Sequence, residues 1–285
     1  MTFTTPIEIA RPSFVVEPLS EMLFVGSCFA NEVGQMFADD HFRATINPYG
    51  TMYNPASVLH TIEKWTDGVK ERDGQTAFPP QKEGTLTAFI TLGTNHVYIE
   101  KATGEIVDNC QKRPQKLFTE KELSIDECAE YLTKAIERLR AEWPKVNVVM
   151  TVSPIRYRKY GYHESQLSKA TLLLAIDKVC KGTENTAYYF PSYEIVLDEL
   201  RDYRFYKNDM LHPSDLAVSY IYDRLKETMF SSAALSFVKE WQPLRRILAH
   251  RPSDAESEEY RQLIAATNDK IEKLIAKTHK ENSRT

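Results

Sequence analysis

The sequence predicts an α/β fold, a three-layer sandwich around a central parallel sheet, followed by a C-terminal helical extension. Three observations carry this. Strand-like and helical segments alternate along the chain as far as about residue 229. The stretch "VNVVMTVSP" (146–154) is a near-continuous apolar run, the kind buried on both faces of a parallel sheet. From about residue 236 the chain turns charged, glycine-free and helical in pattern.

The first element is the apolar run Met22–Val25, broken by Gly26. Phe29, Ala30, Val33, Met36 and Phe37 then recur at helical spacing, so a strand turns sharply into a helix with Ser27 and Cys28 at the corner. "FRATINPYG" (42–50) reads as a second short strand ending in a turn. Asn54-Pro55 supplies a cap and a first-turn proline for a helix carrying Val58, Leu59 and Ile62. The polar stretch 66–84 reads as a surface loop.

"TAFITLGTNHVYIE" (87–100) is β-prone and interrupted at Gly93, and 100–114 suggests a hairpin turning at Thr103-Gly104. Ser124 and Glu127 form a capping-box pattern ahead of a helix whose apolar face is Cys128, Leu132, Ala135, Ile136 and Leu139. A helix over 166–180 ends near Gly182, "AYYFPSYEIV" (187–196) reads as a further strand, and Pro213 opens a helix through about residue 229. In the tail, Tyr260, Ile264, Thr267, Ile271 and Leu274 repeat like a short coiled-coil seam. That seam is either a helix laid over the main domain or a homodimer contact. The expected division is an α/β domain over 1–235 and a helical extension over 236–285.

With 285 residues, 42% hydrophobic, 27% charged and a net charge of -4, the chain has the balance of a soluble globular protein. No stretch gathers enough Lys and Arg to track phosphates, so no nucleic-acid partner is expected. The first twenty residues lack the apolar core of a signal peptide, and no run is long enough to span a bilayer. Four scattered cysteines without a C-x-x-C pair fit reduced thiols and a cytoplasmic location.

In parallel sheets, functional residues collect at the carboxyl ends of the strands. Ser27 sits at such an end, where the following helix offers free N–H groups to an oxyanion, but its hydroxyl needs a base. In "YKNDMLHPSD" (206–215), Asp209 and His212 lie three apart, a spacing that can set the carboxylate against one imidazole nitrogen and leave the other facing outwards. The alternative is an Asp capping a turn beside a solvent-facing His. The Gly50 N–H and the Asn95 amide, with the Ser27 N–H, would complete an oxyanion hole; otherwise they are turn residues.

Cys28 is the rival nucleophile, since a thiolate at a helix amino terminus has a lowered pKa. One step further into the helix it is expected to face the sheet, because Cys is among the most buried residue types. Glu194 is a second candidate to orient His212, and Arg156 and His163 are candidate substrate-binding residues or plain loop residues. The histidines show no metal-ligand spacing, so neither a metal nor another cofactor is expected.

"GSCFA" at 26–30 resembles the signature of the GSCFA family, which is similar to the SGNH (GDSL-like) hydrolases. "NPYGTMYNP" (47–55), "ITLGT" (90–94), "TVSPIR" (151–156), "SKA" (168–170), "YFPSYEI" (189–195) and "DELRDYRFYKNDMLHPS" (198–214) extend the resemblance over about residues 20–230. It implies an SGNH-like sandwich and a hydrolase of small or carbohydrate-linked acyl esters. Ser27 would be the nucleophile, Asp209 and His212 its partners, and Ser27, Gly50 and Asn95 the oxyanion donors. An O-acyltransferase would use the same residues, and a non-catalytic binding or scaffold protein would keep only the fold. Two departures stand out: Gly-Ser-Cys replaces the superfamily's Gly-Asp-Ser, so Ser27 comes one place early, and His96 replaces the Asp of the third block.

Overall fold

Five parallel strands form the central sheet, in the order β2-β1-β3-β7-β8, in a computed structural model that describes residues 4–68, 85–110, 112–182, 187–252 and 257–282. They are β1 (Glu21–Gly26), β2 (Arg43–Ile46), β3 (Leu86–Leu92), β7 (Asn147–Val152) and β8 (Ala187–Tyr189). Most of the loop predicted over 66–84 lies outside the described residues.

Because strand side chains alternate between faces, β1 feeds two separate cores. Leu23 and Val25 pack with Ala88, Ile90, Leu92, Val148, Met150 and Val152 under α2 (Pro55–Thr66), α3 (Ile125–Glu142) and α4 (Tyr162–Gly182). Met22 and Phe24 pack with Phe89 and Val149 on the opposite face, under α1 (Cys28–Asp39) and α6 (Asp215–Met229). The result is the expected three-layer sandwich.

Local signals set most helix starts. Asn54 caps α2 with Pro55 in its first turn, and Ser124 and Glu127 form the reciprocal capping box of α3. The helix assigned to Pro213 starts slightly later, capped by Ser214, with Pro213 bridged to Tyr206.

The excursion after β3 is larger than a hairpin. β4 (His96–Glu100), β5 (Ile106–Val107) and β6 (Phe118–Glu122) make a separate antiparallel sheet in the order β5-β4-β6. The strand expected over 187–196 stops at Tyr189. Pro191 follows two residues later and cannot donate to a ladder, so the chain winds instead into α5 (Ser192–Glu194) and a π-helical turn (Ile195–Leu200).

The expected boundary at 235–236 falls inside one continuous helix, α7 (Ser232–Ala249). Phe237, Val238 and Trp241 of α7 belong to the core that contains Phe37 and Phe230, and the Trp241 indole donates to Asp39 O at 2.8 Å. α8 (Glu258–Asn282) turns its seam onto the same chain: Thr267 and Leu274 are buried, and Ile271 packs against that core. No described helix is long and apolar enough to cross a membrane.

Candidate active site

Gly26 ends β1 with φ of +139°, a conformation open to glycine. Its neighbour across the ladder is Thr91, and a Cβ at position 26 would lie 2.0 Å from Thr91 O. This close approach sets the two corner residues apart. The Ser27 N–H donates to Thr91 O at 3.0 Å and to Thr91 Oγ1 at 3.1 Å. Ser27 Oγ lies 3.2 Å from Thr91 Oγ1 and accepts the Phe29 N–H as the cap of α1. Ser27 is 1% exposed.

Cys28, the first residue of α1, points the other way. It lines a cavity of about 400 Å³ together with Tyr53, Ile155, Arg156, Tyr157, Arg158, Lys159, Leu211 and His212. Ser27 does not line that cavity. The expected orientations are thus reversed: the serine is turned inwards onto β3, and the thiol faces the space shared with the histidine.

The loop ahead of α6 builds the other half of the site. Asp209 Oδ1 accepts the N–H groups of Leu211 at 2.8 Å and His212 at 3.0 Å, while Oδ2 lies 2.6 Å from His212 Nδ1. The two backbone N–H groups, and then the imidazole, hold the Asp209 carboxyl well below the usual carboxylate range. An Asp that already caps the turn thereby fixes the ring, leaving Nε2 as the free nitrogen. Arg156 N donates to Leu211 O at 2.9 Å and joins this loop to the segment after β7.

The groups expected to form an oxyanion hole are already bonded elsewhere. The Ser27 N–H is held by Thr91, the Gly50 N–H closes a turn onto Asn47 O at 2.8 Å, and Asn95 Nδ2 donates to Leu123 O at 2.8 Å. Glu194 accepts from the Tyr189 hydroxyl at 2.7 Å and so does not orient His212. Arg156 lines the cavity, whereas His163 is exposed near the start of α4, away from it. His96 stacks on Tyr160 with ring centroids 4.0 Å apart.

Two residues escaped sequence reasoning. Tyr53 places its hydroxyl 3.3 Å from Cys28 Sγ, and burial, reinforced by the thiol, pushes its pKa up. Lys169 is 2% exposed and donates to Gly93 O at 2.8 Å and Ser153 O at 2.7 Å, tying together the segments that follow β3 and β7. Burial pushes its pKa down to about 7. Tyr53 and Lys169 lie within "NPYGTMYNP" and "SKA", but those strings carry no periodicity that would single them out. Among the described residues, no cluster of three His, Cys, Asp or Glu side chains is arranged to hold a metal.

The crossover from β1 out to β2 and back across to β3 puts this corner at the topological switch point of the sheet, where open α/β sheets place their ligand clefts. Fold and corner together define an α/β sandwich whose candidate site lies at the end of β1, beside β3. The chain belongs to the GSCFA family, which it matches over residues 21–82 and 70–225, and it matches the GSCFA domain protein, C-terminal domain, over 241–282.

No curated protein matches the sequence. Solved structures with a similar chain path include a protein described as a GDSL-like lipase from Parabacteroides merdae, at 11% identity and TM-score 0.46, covering 76% of this chain and 98% of that one. A carbohydrate esterase family 2 enzyme from Corynascus thermopiles is similar at 12% identity and TM-score 0.45, over 78% of this chain and 68% of that one. A carbohydrate esterase family 3 structure from Talaromyces cellulolyticus is similar at 12% identity and TM-score 0.40, over 79% and 98%.

Proposed function

We propose that this protein is an ester hydrolase with a thiol nucleophile, in which Cys28, His212 and Asp209 act together. The supporting observation is that Cys28 and His212 line one cavity while Asp209 Oδ2 holds His212 Nδ1 at 2.6 Å, and Ser27 is committed to Thr91 and the cap of α1. Counting from Gly26 gives the same assignment: Cys28 occupies the third position of Gly-Ser-Cys, where the resembling superfamily has the serine of Gly-Asp-Ser.

In the first half-reaction, His212 Nε2 takes the thiol proton and Cys28 Sγ bonds to the acyl carbon. The tetrahedral oxyanion is held by the Cys28 N–H, one of the first-turn groups that a helix leaves unpaired, and by the Tyr53 O–H. Collapse breaks the ester C–O bond, and the leaving alkoxide receives the proton from His212. In the second half-reaction, water gives a proton to His212 and attacks the thioester, which releases the acid and returns Cys28 to its thiol. Asp209 keeps the imidazole oriented and stabilises its cation throughout.

The test is a pair of alanine variants assayed on 4-nitrophenyl acetate. Cys28→Ala should lose activity by a factor on the order of 10³ or more, because members of such a unit act together. Ser27→Ala should stay active and lose ~1 kcal/mol of stability with its helix cap. An inactive, folded Ser27→Ala beside an active Cys28→Ala would overturn the assignment of Cys28.

A further inference from the structure

The cavity that holds Cys28 and His212 is also notably basic. Its wall carries Arg156, Arg158 and Lys159 and no Asp or Glu. Two carboxylates that touch its lining residues are already engaged: Asp209 by His212 and two backbone N–H groups, and Glu120 by Lys159 at 3.2 Å. Among the described residues, neither Arg156 nor Arg158 has a carboxylate partner; the Arg156 guanidinium donates only to a backbone carbonyl, Met210 O, at 3.1 Å.

Arg156 is also held in place. Its guanidinium lies over the ring of Tyr162 at 4.3 Å, with the rings of Tyr206 and Tyr203 at 5.5 and 5.8 Å. It lines a second cavity of about 450 Å³ as well, together with Arg201, Tyr203 and Tyr206. Stacking on aromatic faces fixes the plane of a guanidinium, and a fixed fork of N–H donors matches a carboxylate or phosphate better than a neutral group. Ile155, Tyr157 and Leu211 supply the less polar part of the same wall.

Building on the thiol-hydrolase reading, we propose that the substrate is an anionic ester, whose carboxylate or phosphate group is bound by Arg156 and Arg158 while its acyl carbon meets Cys28. Arg156 and Arg158 share that wall without a carboxylate partner among the described residues, and like charges held together disfavour each other unless a counter-charge joins them. A substrate anion supplies that counter-charge.

The test compares 4-nitrophenyl butyrate with mono-4-nitrophenyl glutarate, which adds a terminal carboxylate. The full-length protein should favour the glutarate ester in kcat/KM by roughly tenfold or more, and the preference should collapse in Arg156→Gln and Arg158→Gln and shrink as salt rises. Equal rates on the two esters, or a preference that survives both substitutions, would overturn the proposal while leaving the thiol reading intact. Calorimetric titration of the Cys28→Ala protein with glutarate and with inorganic phosphate reads the anion site without chemistry. Binding of either anion, weakened at least about tenfold by Arg156→Gln, supports the proposal and distinguishes the carboxylate from the phosphate form. Binding of neither overturns it, even if the thiol reaction fails as well.

Discussion

The sulfur of Cys28 lies 3.3 Å from the hydroxyl oxygen of Tyr53. The two residues come from the first turn of α1 and the loop before α2, and they meet over the cavity that also receives His212. A phenol with a raised pKa remains protonated at neutral pH and is therefore a donor when negative charge develops beside it.

Tyr53→Phe keeps the ring and removes that donor. Steady-state rates on 4-nitrophenyl acetate should fall about 10²-fold in kcat, with little change in KM. An unchanged kcat would remove Tyr53 from the oxyanion role.

Lys169 should make stability depend on pH. Its folded pKa of about 7 lies below the ordinary 10.5, so between these values the unfolded chain binds the extra proton and stability rises with pH. Unfolding free energies from urea titrations at pH 7 to 10 should climb more steeply for the wild type than for Lys169→Met, by up to ~1.4 kcal/mol per pH unit. Parallel curves would mean that Lys169 stays charged in the fold, paired with its two carbonyls.

Gly26→Ala tests the approach of β1 to β3. An added Cβ would meet Thr91 O at 2.0 Å in a backbone conformation that disfavours any side chain. Strain and overlap together should cost about 3 kcal/mol or more, read as a lowered urea midpoint or loss of soluble protein. A variant as stable as the wild type would show that the strand end can move apart freely.

The tail should behave as part of the fold. Trp241 packs in the core with Phe237, its ring lies 4.2 Å from that of His41, and its indole binds Asp39 O. Trp241→Ala should cost about 3–5 kcal/mol in equilibrium unfolding. A chain ended at residue 235 should be less stable still, because it cuts α7 and uncovers Phe37 and Phe230. An equally stable truncated chain would show that the tail is dispensable.

The sequence by itself determined the sandwich, because its signals are local. Apolar runs such as Val148–Val152 fixed the buried strands, and caps at Asn54 and Ser124 fixed helix starts through side chains that bond their own neighbours. It also put Asp209 and His212 within reach of each other, since only two residues of turn, Met210 and Leu211, separate them. Only the tertiary structure decided which corner residue meets the histidine. Thr91 is distant in sequence, yet it captures both the N–H and the hydroxyl of Ser27 once β3 lies against β1, and the helix geometry then turns Cys28 to the cavity. The same is true of Asn95, whose amide is claimed by Leu123 across the turn into α3, and of Lys169, whose burial follows from the packing of α4. A hydrogen-bonding group takes the partner that folding brings nearest, and for these residues that partner is not written in the adjacent sequence.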